Sequence, residues 1–318
     1  MSIGWSTVTT FHLRAPEHPF LGSAIVLDPS QVQTRFAFLG IPWGPPYDPE
    51  DLVVSAGAAD AVRASAHRMT YGTLAHHHNF DWSGPLYPDG RPTVTDCGNV
   101  IGDDSDPDGI WDRGIDVTRA LAERGTTQLV VGGLDAIPPI VVGGHQETLH
   151  VLHVDSHLDF RQEVGGQTRG YSSPIRRIRE MSNVDRIVQV GLRGMGSARP
   201  SDVDEALAAG NELITAREIH EGGIGTAIDH LSDDRRWVIT IDCDGLDPTI
   251  APGVGWPEPG GLSYPQISSL VRWLAERDRV AAIVATEFQP DLDIGGVTAM
   301  SIVRLFVLVV GYGSRATR

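Results

Sequence analysis

The sequence predicts an α/β protein whose central sheet is mostly parallel. Two apolar runs, residues 148–154 and 237–241, have the length and composition of buried strands, and each runs directly into acidic residues. Residues 264–277 repeat apolar side chains on one helical face, as an amphipathic helix does. Strands that alternate with helices are typical of α/β proteins, whose functional sites lie at the carboxyl ends of the strands.

The remaining elements follow from the same patterns of apolar residues. Further strands are predicted at residues 35–41, 128–131, 187–192, 213–214 and 280–286. Helices are predicted at residues 55–69, 116–124, 138–144, 202–209 and 298–310, with mixed helical patterns at 216–220 and 224–231. Residues 1–34 have mixed polar and proline content and are predicted to be an N-terminal arm. Since no linker, internal repeat or low-complexity tract is present, residues 1–318 are predicted to form a single domain.

Composition restricts the class of protein further. The chain has 318 residues, 41% of them apolar, and a formal net charge of −16. This charge argues against nucleic acid and anionic membranes as partners and would attract cationic ligands. Two cysteines give no disulfide framework, and no signal-peptide pattern is visible at the N-terminus. The apolar stretch 302–311 is too short to span a bilayer, so a cytoplasmic protein is expected.

Polar residues at the end of the first buried strand predict half of a metal site. Asp155, His157 and Asp159 form a D-x-H-x-D segment directly after residues 148–154. In an extended backbone, residues at i, i+2 and i+4 point to the same side, so these three side chains are predicted to converge. A divalent cation between them would account for that crowding. The alternative for this motif alone is a solvated polar loop after a strand.

A second strand ends in the same way. Asp242 and Asp244 follow residues 237–241 and again share one side of an extended backbone. Two unrelated aspartate-rich turns are the alternative, but similar polar ends on two buried strands favour a shared site. Four carboxylates and one imidazole are more ligands than one small ion needs. They suit two cations joined by bridging carboxylates, an arrangement that activates a water molecule.

Three motifs resemble those of the arginase/agmatinase (ureohydrolase) family. Residues 155–159 (D-S-H-L-D) match the D-A-H-x-D of that family, and residues 240–248 (T-I-D-C-D-G-L-D-P) match its S-x-D-x-D-x-x-D-P. Residues 251–262 are similar to the A-P-G-T-G-T-P-E-P-G-G-L of agmatinase-like members, with Trp256 in place of a threonine. The resemblance runs from Phe36 onward. It implies a three-layer α/β/α fold of the arginase/deacetylase type and a homo-oligomer, usually a trimer or hexamer.

A further metal ligand is implied by the resemblance, and two residues compete for it. The family has a G-G-D-H-S motif whose histidine binds metal about twenty residues before D-A-H-x-D. Asp135 follows Gly132-Gly133 and precedes Asp155 by that distance, whereas His145 leaves no room for an intervening helix. Spacing favours Asp135, with His145 as the alternative. One metal would then be held almost wholly by carboxylates, which favour Mn²⁺ or Mg²⁺.

The resemblance also implies roles at the metal centre. Asp155 and Asp242 would bridge two ions, Asp135 and Asp159 would complete one site, and His157 and Asp244 would complete the other. The ions are expected to be Mn²⁺, with Ni²⁺ as the alternative. Asp159 would orient the attacking hydroxide and carry its proton. Glu287 begins a segment similar to the family's E-x-N-P-x-x-D, and its carboxylate would hold the substrate guanidinium through paired hydrogen bonds.

Two further residues are candidates for contact with the substrate. Residues 171–177 (Y-S-S-P-I-R-R) stand where agmatinase-like members carry H-G-T-P-F-R-R, which places Tyr171 at the position of a proton-shuttle histidine. A tyrosine with a pKa near ~10 is a poor shuttle at neutral pH. Tyr171 is therefore predicted to bind substrate, with a surface position as the alternative. Arg161 could grip a substrate carboxylate, or could be a surface arginine.

The activity implied by the resemblance is metal-dependent hydrolysis of a guanidino compound, such as agmatine, to urea and an amine. One alternative is a carboxylate-bearing formimino or guanidino substrate, because the segment D-S-H-L-D-F-R also resembles that of formiminoglutamases. A second alternative is a catalytically weak, metal-binding partner subunit, because the family's shuttle histidine is absent and its glycine motif is altered.

Overall fold

A ten-stranded sheet lies at the centre of the computed structural model, which describes residues 11–45, 47, 55–70, 74–102, 107–195 and 198–316. The strands are β1 Leu13–Arg14, β2 Ala24–Ile25, β3 Phe36–Ile41, β4 Val94–Val100, β5 Thr127–Gly132, β6 Leu149–Val154, β7 Val184–Leu192, β8 Glu212–Thr215, β9 Arg236–Asp242 and β10 Val280–Thr286. The α-helices are α1 Ala58–Thr70, α2 Pro107–Glu123, α3 Pro138–Gly144, α4 Pro174–Arg179, α5 Pro200–Ala208, α6 Ala216–Gly222, α7 Gly225–Ile228, α8 Tyr264–Glu276 and α9 Val297–Gly313.

The order of strands along the sheet is β1-β4-β3-β5-β10-β9-β6-β7-β8, and β2 pairs with β4. All of these pairs are parallel except that of β1 with β4. One row across the middle of the sheet joins Val130, Val284, Thr240 and His153 as register partners. The carboxyl ends of the four central strands therefore meet at one edge.

Helices cover both faces of the sheet, because side chains alternate along each buried strand. Val131 belongs to one apolar core with Phe306 of α9, whereas its neighbour Val130 belongs to a second core with Ile140 of α3. The first core also contains residues of α1, α6, α7 and α8, and the second contains residues of α2, α4 and α5. The predicted three-layer α/β/α fold with a mostly parallel sheet is thus confirmed. No helix in the described part of the chain is long and apolar enough to cross a membrane.

Each predicted strand overlaps an observed one, and residues 280–286 and 138–144 match β10 and α3 at both ends. Helix α2 begins at Pro107 rather than at residue 116. Helix α4 and strands β1, β2 and β4 were absent from the prediction. Strands β1 and β2 lie in the predicted N-terminal arm and attach its described part to β4.

Strand β4 is not predicted from the sequence because several of its buried residues are polar. Asp96 is fully buried, and its carboxylate accepts hydrogen bonds from Arg63 Nε at 2.8 Å and Arg63 Nη2 at 2.9 Å. The backbone N–H of Phe20 donates to the same carboxylate at 2.7 Å. A buried charge is tolerated when it is paired and hydrogen-bonded, and the partner here comes from α1. Nothing in the local sequence of residues 94–100 reveals that partner.

Candidate metal centre

Four adjacent strands bring the predicted site residues to one edge of the sheet. Asp155 directly follows β6, Asp242 is the last residue of β9, Glu287 directly follows β10, and Asp135 lies three residues beyond β5. Because these strands are neighbours in the order β5-β10-β9-β6, their carboxyl ends are side by side. Asp135, Asp155 and Asp242 are buried.

Asp135, His153, Asp155 and Asp159 form a first group of side chains. One ligand atom from each lies within 4.8 Å of the others. His153 Nε2 is 3.0 Å from Asp155 Oδ2 and 3.6 Å from Asp135 Oδ2. These three atoms are buried, and none makes a hydrogen bond within the described chain. Buried polar atoms without partners at one point are a typical sign of a cation site.

Asp155, His157 and Asp244 form a second group that meets the same distance criterion. His157 Nδ1 lies 3.2 Å from Asp244 Oδ2 and 3.4 Å from Asp155 Oδ1. Asp244 is further oriented by Ser156, whose Oγ donates to Asp244 Oδ1 at 2.7 Å. The two groups share Asp155, so two cations bound there would be neighbours joined by that carboxylate.

Asp242 belongs to neither group. Its Oδ1 accepts the backbone N–H of Asp244 at 2.9 Å and thereby holds the turn that presents Asp244. Burial raises the pKa of Asp242 well above its usual value, and the charges of Asp244 and Asp155 raise it further. Asp242 therefore lies beside the two groups, and its role as a bridging ligand stays a prediction.

The donor set fits divalent cations on electrostatic grounds. Burial, together with the charges of Asp155 and Asp135, raises the pKa of Asp159 well above its usual value. Burial also raises the pKa of Asp135 to about 6. Burial alone would lower the pKa of His153. The negative charges of Asp155 and Asp135 have the larger effect and raise this pKa to about 9. Carboxylates crowded in a low-dielectric pocket need a positive charge if all of them are to ionise.

Glu287 is held next to this cluster by the backbone of the β5–α3 connection. Its Oε1 accepts the N–H of Asp135 at 2.7 Å, and its own N–H donates to the carbonyl of Gly133 at 2.8 Å. Its φ is +59°, in the left-handed region that non-glycine residues seldom adopt. Burial raises the pKa of Glu287 to about 8, although the hydrogen bond from Asp135 opposes that rise. Asp159 has a comparable φ of +50°, so backbone strain coincides with both predicted catalytic residues.

The arginase family model matches residues 37–311. The chain belongs to the arginase family. Guanidinopropionase of Pseudomonas aeruginosa is 35% identical over 193 residues, which cover 57% of this chain and 59% of that protein. N(1)-aminopropylagmatine ureohydrolase of Thermus thermophilus is 32% identical over 168 residues, 51% of this chain and 55% of that protein. The matched segments thus span between half and three fifths of the length of these relatives.

Solved structures of the arginase family show the same fold. Proclavaminate amidinohydrolase of Streptomyces clavuligerus superposes with a TM-score of 0.81 at 23% identity, over 97% of this chain and all of that one. Formimidoylglutamase of Bacillus subtilis superposes with a TM-score of 0.80 at 17% identity, over 100% of this chain and 97% of that one. At this level of identity the likeness establishes the architecture and not the substrate.

His153 is a site residue that sequence analysis of this arginase-family chain missed. It is fully buried in β6, two residues before Asp155. The i, i+2 alternation that groups Asp155 with His157 extends back to His153, so the signal was present. A histidine inside an apolar strand resembles a core residue, and only the contacts with Asp135 after β5 and Asp155 after β6 show what it faces.

The structure places Asp135 and His145, the two candidates for the further metal ligand, at opposite ends of β5. Asp135 lies beyond the carboxyl end of β5 and belongs to the first group. His145 is buried at the end of α3, where its Nε2 lies 3.4 Å from Nε2 of Gln128, the second residue of β5. The structure therefore places His145 at the opposite edge of the sheet from the carboxylate cluster.

Tyr171 lies against Tyr47, which sequence analysis did not single out. The two ring centroids are 4.4 Å apart, and the Tyr47 hydroxyl accepts the backbone N–H of Ser172 at 2.8 Å. Burial raises the pKa of Tyr47, and the charge of Asp159 raises it further, so this ring lies near the cluster. Substrate binding by Tyr171 stays a prediction, and Tyr47 becomes a second aromatic candidate for the same contact.

Arg161 faces a different part of the molecule. Its Nε lies 3.7 Å from Asp202 of α5. Both residues line a cleft of about 360 Å³ together with Arg176, Arg199 and Glu205, and no member of the carboxylate cluster is among the residues that line it. Contact of Arg161 with a substrate carboxylate stays a prediction.

Metal removal should make the stability of this protein fall as pH rises. In the folded, metal-free chain, Asp135 and Glu287 have pKa values of about 6 and about 8, above the ~3.9 and ~4.3 of an unfolded chain. The folded state therefore binds more protons between those values, and stability decreases from about pH 4 to about pH 8. Divalent cations pair with the ionised carboxylates and should remove this loss.

Thermal unfolding with EDTA and with Mn²⁺, at about pH 5.5 and about pH 8.5, measures this effect. We expect the increase in Tm on adding Mn²⁺ to be larger at the higher pH. Groups remote from the cluster titrate equally with EDTA and with Mn²⁺. Subtracting the two Tm values at one pH therefore removes their contribution. An increase that is the same at both pH values would contradict the assigned burial of these carboxylates.

Proposed function

We propose that this arginase-family chain is a binuclear-metal hydrolase that cleaves a guanidino compound into urea and an amine. The observation that carries the proposal is that two ligand groups share Asp155 while the partly buried carboxylate of Glu287 is held beside one of them. Bound cations would lower the pKa of a water molecule and so supply a nucleophile near neutral pH. The donor set is rich in carboxylates, which favours Mn²⁺, with Ni²⁺ as the alternative.

The chain's own side chains would perform the remaining tasks. Glu287 presents a carboxylate that can pair with one edge of a planar guanidinium group through two hydrogen bonds. Asp159 belongs to the first ligand group, and its carboxylate would take the proton of the attacking water and deliver it to the leaving nitrogen. The oxygen of water becomes the oxygen of urea, the bond from carbon to the substituted nitrogen breaks, and the amine leaves with the transferred proton.

An agmatine-like amine is the substrate class we favour. The net charge of −16 attracts cations, and the relatives include an N(1)-aminopropylagmatine ureohydrolase. A formimino substrate with a carboxylate would need a cationic partner at the site, and Arg161 instead lies near Asp202. We also propose a cytoplasmic homo-oligomer, trimer or hexamer, which light scattering of the purified protein would measure.

Release of urea and ammonia across a panel of compounds tests the function. The panel is agmatine, guanidinobutyrate, guanidinopropionate, arginine and formiminoglutamate, each with Mn²⁺ and then with Ni²⁺. We expect urea from at least one guanidino compound, with Asp155→Asn as the inactive control. Turnover of formiminoglutamate alone would support the alternative substrate class. Silence across the panel from protein that holds two ions per chain would support the partner-subunit alternative and overturn the proposal.

A further inference from the structure

Residues 253–259 form a loop, here called the strap, whose first end is attached to the segment that carries Glu287. The backbone N–H of Gln289, two residues beyond Glu287, donates to the carbonyl of Gly253 at 2.8 Å. Gly255 lies so close to Gln289 that a Cβ atom at this glycine would be 2.6 Å from the Gln289 amide nitrogen. The first half of the strap therefore runs along the segment that begins with Glu287.

The other end of the strap is attached to the second ligand group through Arg193. Arg193 Nη2 donates to the carbonyl of Glu258 at 2.6 Å and to the carbonyl of Asp244 at 2.5 Å. Asp244 is a member of the second ligand group. The strap therefore extends from the Glu287 segment to the carboxylate cluster, and its middle residue, Trp256, lies between the two attachments.

Trp256 is directed into solvent although its side chain is large and mostly apolar. It is 83% exposed, whereas Val254 of the same strap is 2% exposed and belongs to the first apolar core. The indole makes no hydrogen bond or ring contact with any residue that the structure describes. The strap is thus anchored by its other residues, and both faces of the indole ring are available to a ligand.

The charges around Trp256 favour a cation rather than a carboxylate as that ligand. The strap contains one charged residue, Glu258, and residues 287–293 contain three carboxylates and no basic residue. The guanidinium of Arg193, to which the strap is attached, already donates to backbone carbonyls. The face of an indole ring also attracts cations, since it carries the negative part of the ring quadrupole.

We propose that Trp256 is a specificity-determining residue, which contacts the end of the substrate remote from the guanidinium and favours a cationic group there. The inference rests on the proposed function, because it takes Glu287 as the residue that holds the guanidinium. Glu287 is partly buried and Trp256 is exposed, so the substrate chain would extend outward from one towards the other. A terminal ammonium group would gain a contact with the ring face that a neutral group lacks.

A matched pair of substrates isolates this contact. Agmatine and n-pentylguanidine have the same length, and the ammonium group of the first takes the place of the terminal methyl group of the second. Trp256→Leu keeps an apolar side chain without a ring, Trp256→Phe keeps a smaller ring, and neither changes the charge of the protein. Because Trp256 is exposed, both variants should fold as the unaltered protein does.

The preference for agmatine, measured as the ratio of the two kcat/KM values, should fall by about two- to fivefold in Trp256→Leu, the size of an exposed cation–π contact. We expect the change in KM, with kcat unchanged, because the contact is remote from the reacting carbon. Trp256→Phe should keep most of the preference. Phe80→Leu, which removes a similarly exposed ring outside the strap, is the control and should keep all of it.

Three results would overturn the inference. The first is an unchanged preference in Trp256→Leu. The second is an equal increase in KM for both compounds, which would mean that the ring contacts the substrate chain without selecting its charge. The third is a smaller assembly of Trp256→Leu in light scattering, which would assign the ring to a contact between subunits.

Calorimetry separates this inference from the proposed function. With EDTA present neither compound is hydrolysed, and the ratio of their dissociation constants should depend on Trp256 in the same way. A calorimetric preference for agmatine that falls in Trp256→Leu, in a protein that releases no urea when loaded with metal, would remove the proposed function and leave the role of Trp256 intact. Urea release with a preference that does not depend on Trp256 would overturn this inference alone.

Discussion

Asp155→Asn should leave the protein folded and nearly inactive. Asp155 is the residue that both ligand groups share, so its replacement by a neutral amide weakens both sites at once. We expect kcat/KM for the best guanidino substrate to fall by more than about 10³-fold, because changing even an outer partner of a metal ligand costs 10–100-fold. We also expect the chain to retain fewer than two tightly bound ions.

Metal content after gel filtration and urea release under matched conditions measure these losses. The control is Asp185→Asn, the same substitution at an exposed position in β7. It should retain the metal content and activity of the unaltered protein. An Asp155→Asn protein that holds two ions per chain as tightly as before would contradict the bridging position, even if its activity were low.

The convergence of Asp155, His157 and Asp159 was predictable, but the reason given for it was only partly right. Strand β6 ends at Val154, and the segment that follows bends at Ser156 and His157. Asp159 reaches the first group through a left-handed backbone, whereas His157 reaches the second group. Alternation in an extended chain predicts that the side chains lie on one side. It does not predict which of two neighbouring cations each would bind.

A similar limit applies to Asp242 and Asp244. The sequence motif predicted that both would face one way, but a 3-10 turn over Cys243–Gly245 follows Asp242 directly. Asp242 stabilises that turn by accepting the Asp244 N–H. The prediction from an extended backbone fails where a strand ends, because the chain must turn there to present its ligands.

Contacts between residues far apart in the chain were beyond sequence analysis. Asp96 is paired with Arg63, His153 contacts Gln189, and Tyr171 lies against Tyr47. Each partner comes from a distant part of the chain. The strands and their polar ends are visible in the sequence because they depend on local patterns of apolar residues. Which buried polar residues are paired depends on strand order, and no local pattern contains that order.

Glu287→Gln should reduce activity strongly while leaving the metal ions in place. The amide keeps an oxygen that can accept the Asp135 N–H, so the local structure should persist. It removes the negative charge opposite a guanidinium and replaces one acceptor by a donor. We expect kcat/KM to fall by about 10²–10³-fold, with an increase in KM, because charge-assisted paired hydrogen bonds are lost. Steady-state kinetics and metal analysis of the same preparation measure both quantities.

The pair of variants separates substrate binding from metal binding. Asp155→Asn should lower activity and metal content together, whereas Glu287→Gln should lower activity alone. Glu221→Gln, the same change at an exposed position in α6, is the control for an altered glutamate. If Glu287→Gln lost metal to the same extent as Asp155→Asn, Glu287 would be a part of the metal centre. The substrate cation would then need another acidic partner, since the strained backbone at residue 287 would serve to build the centre itself.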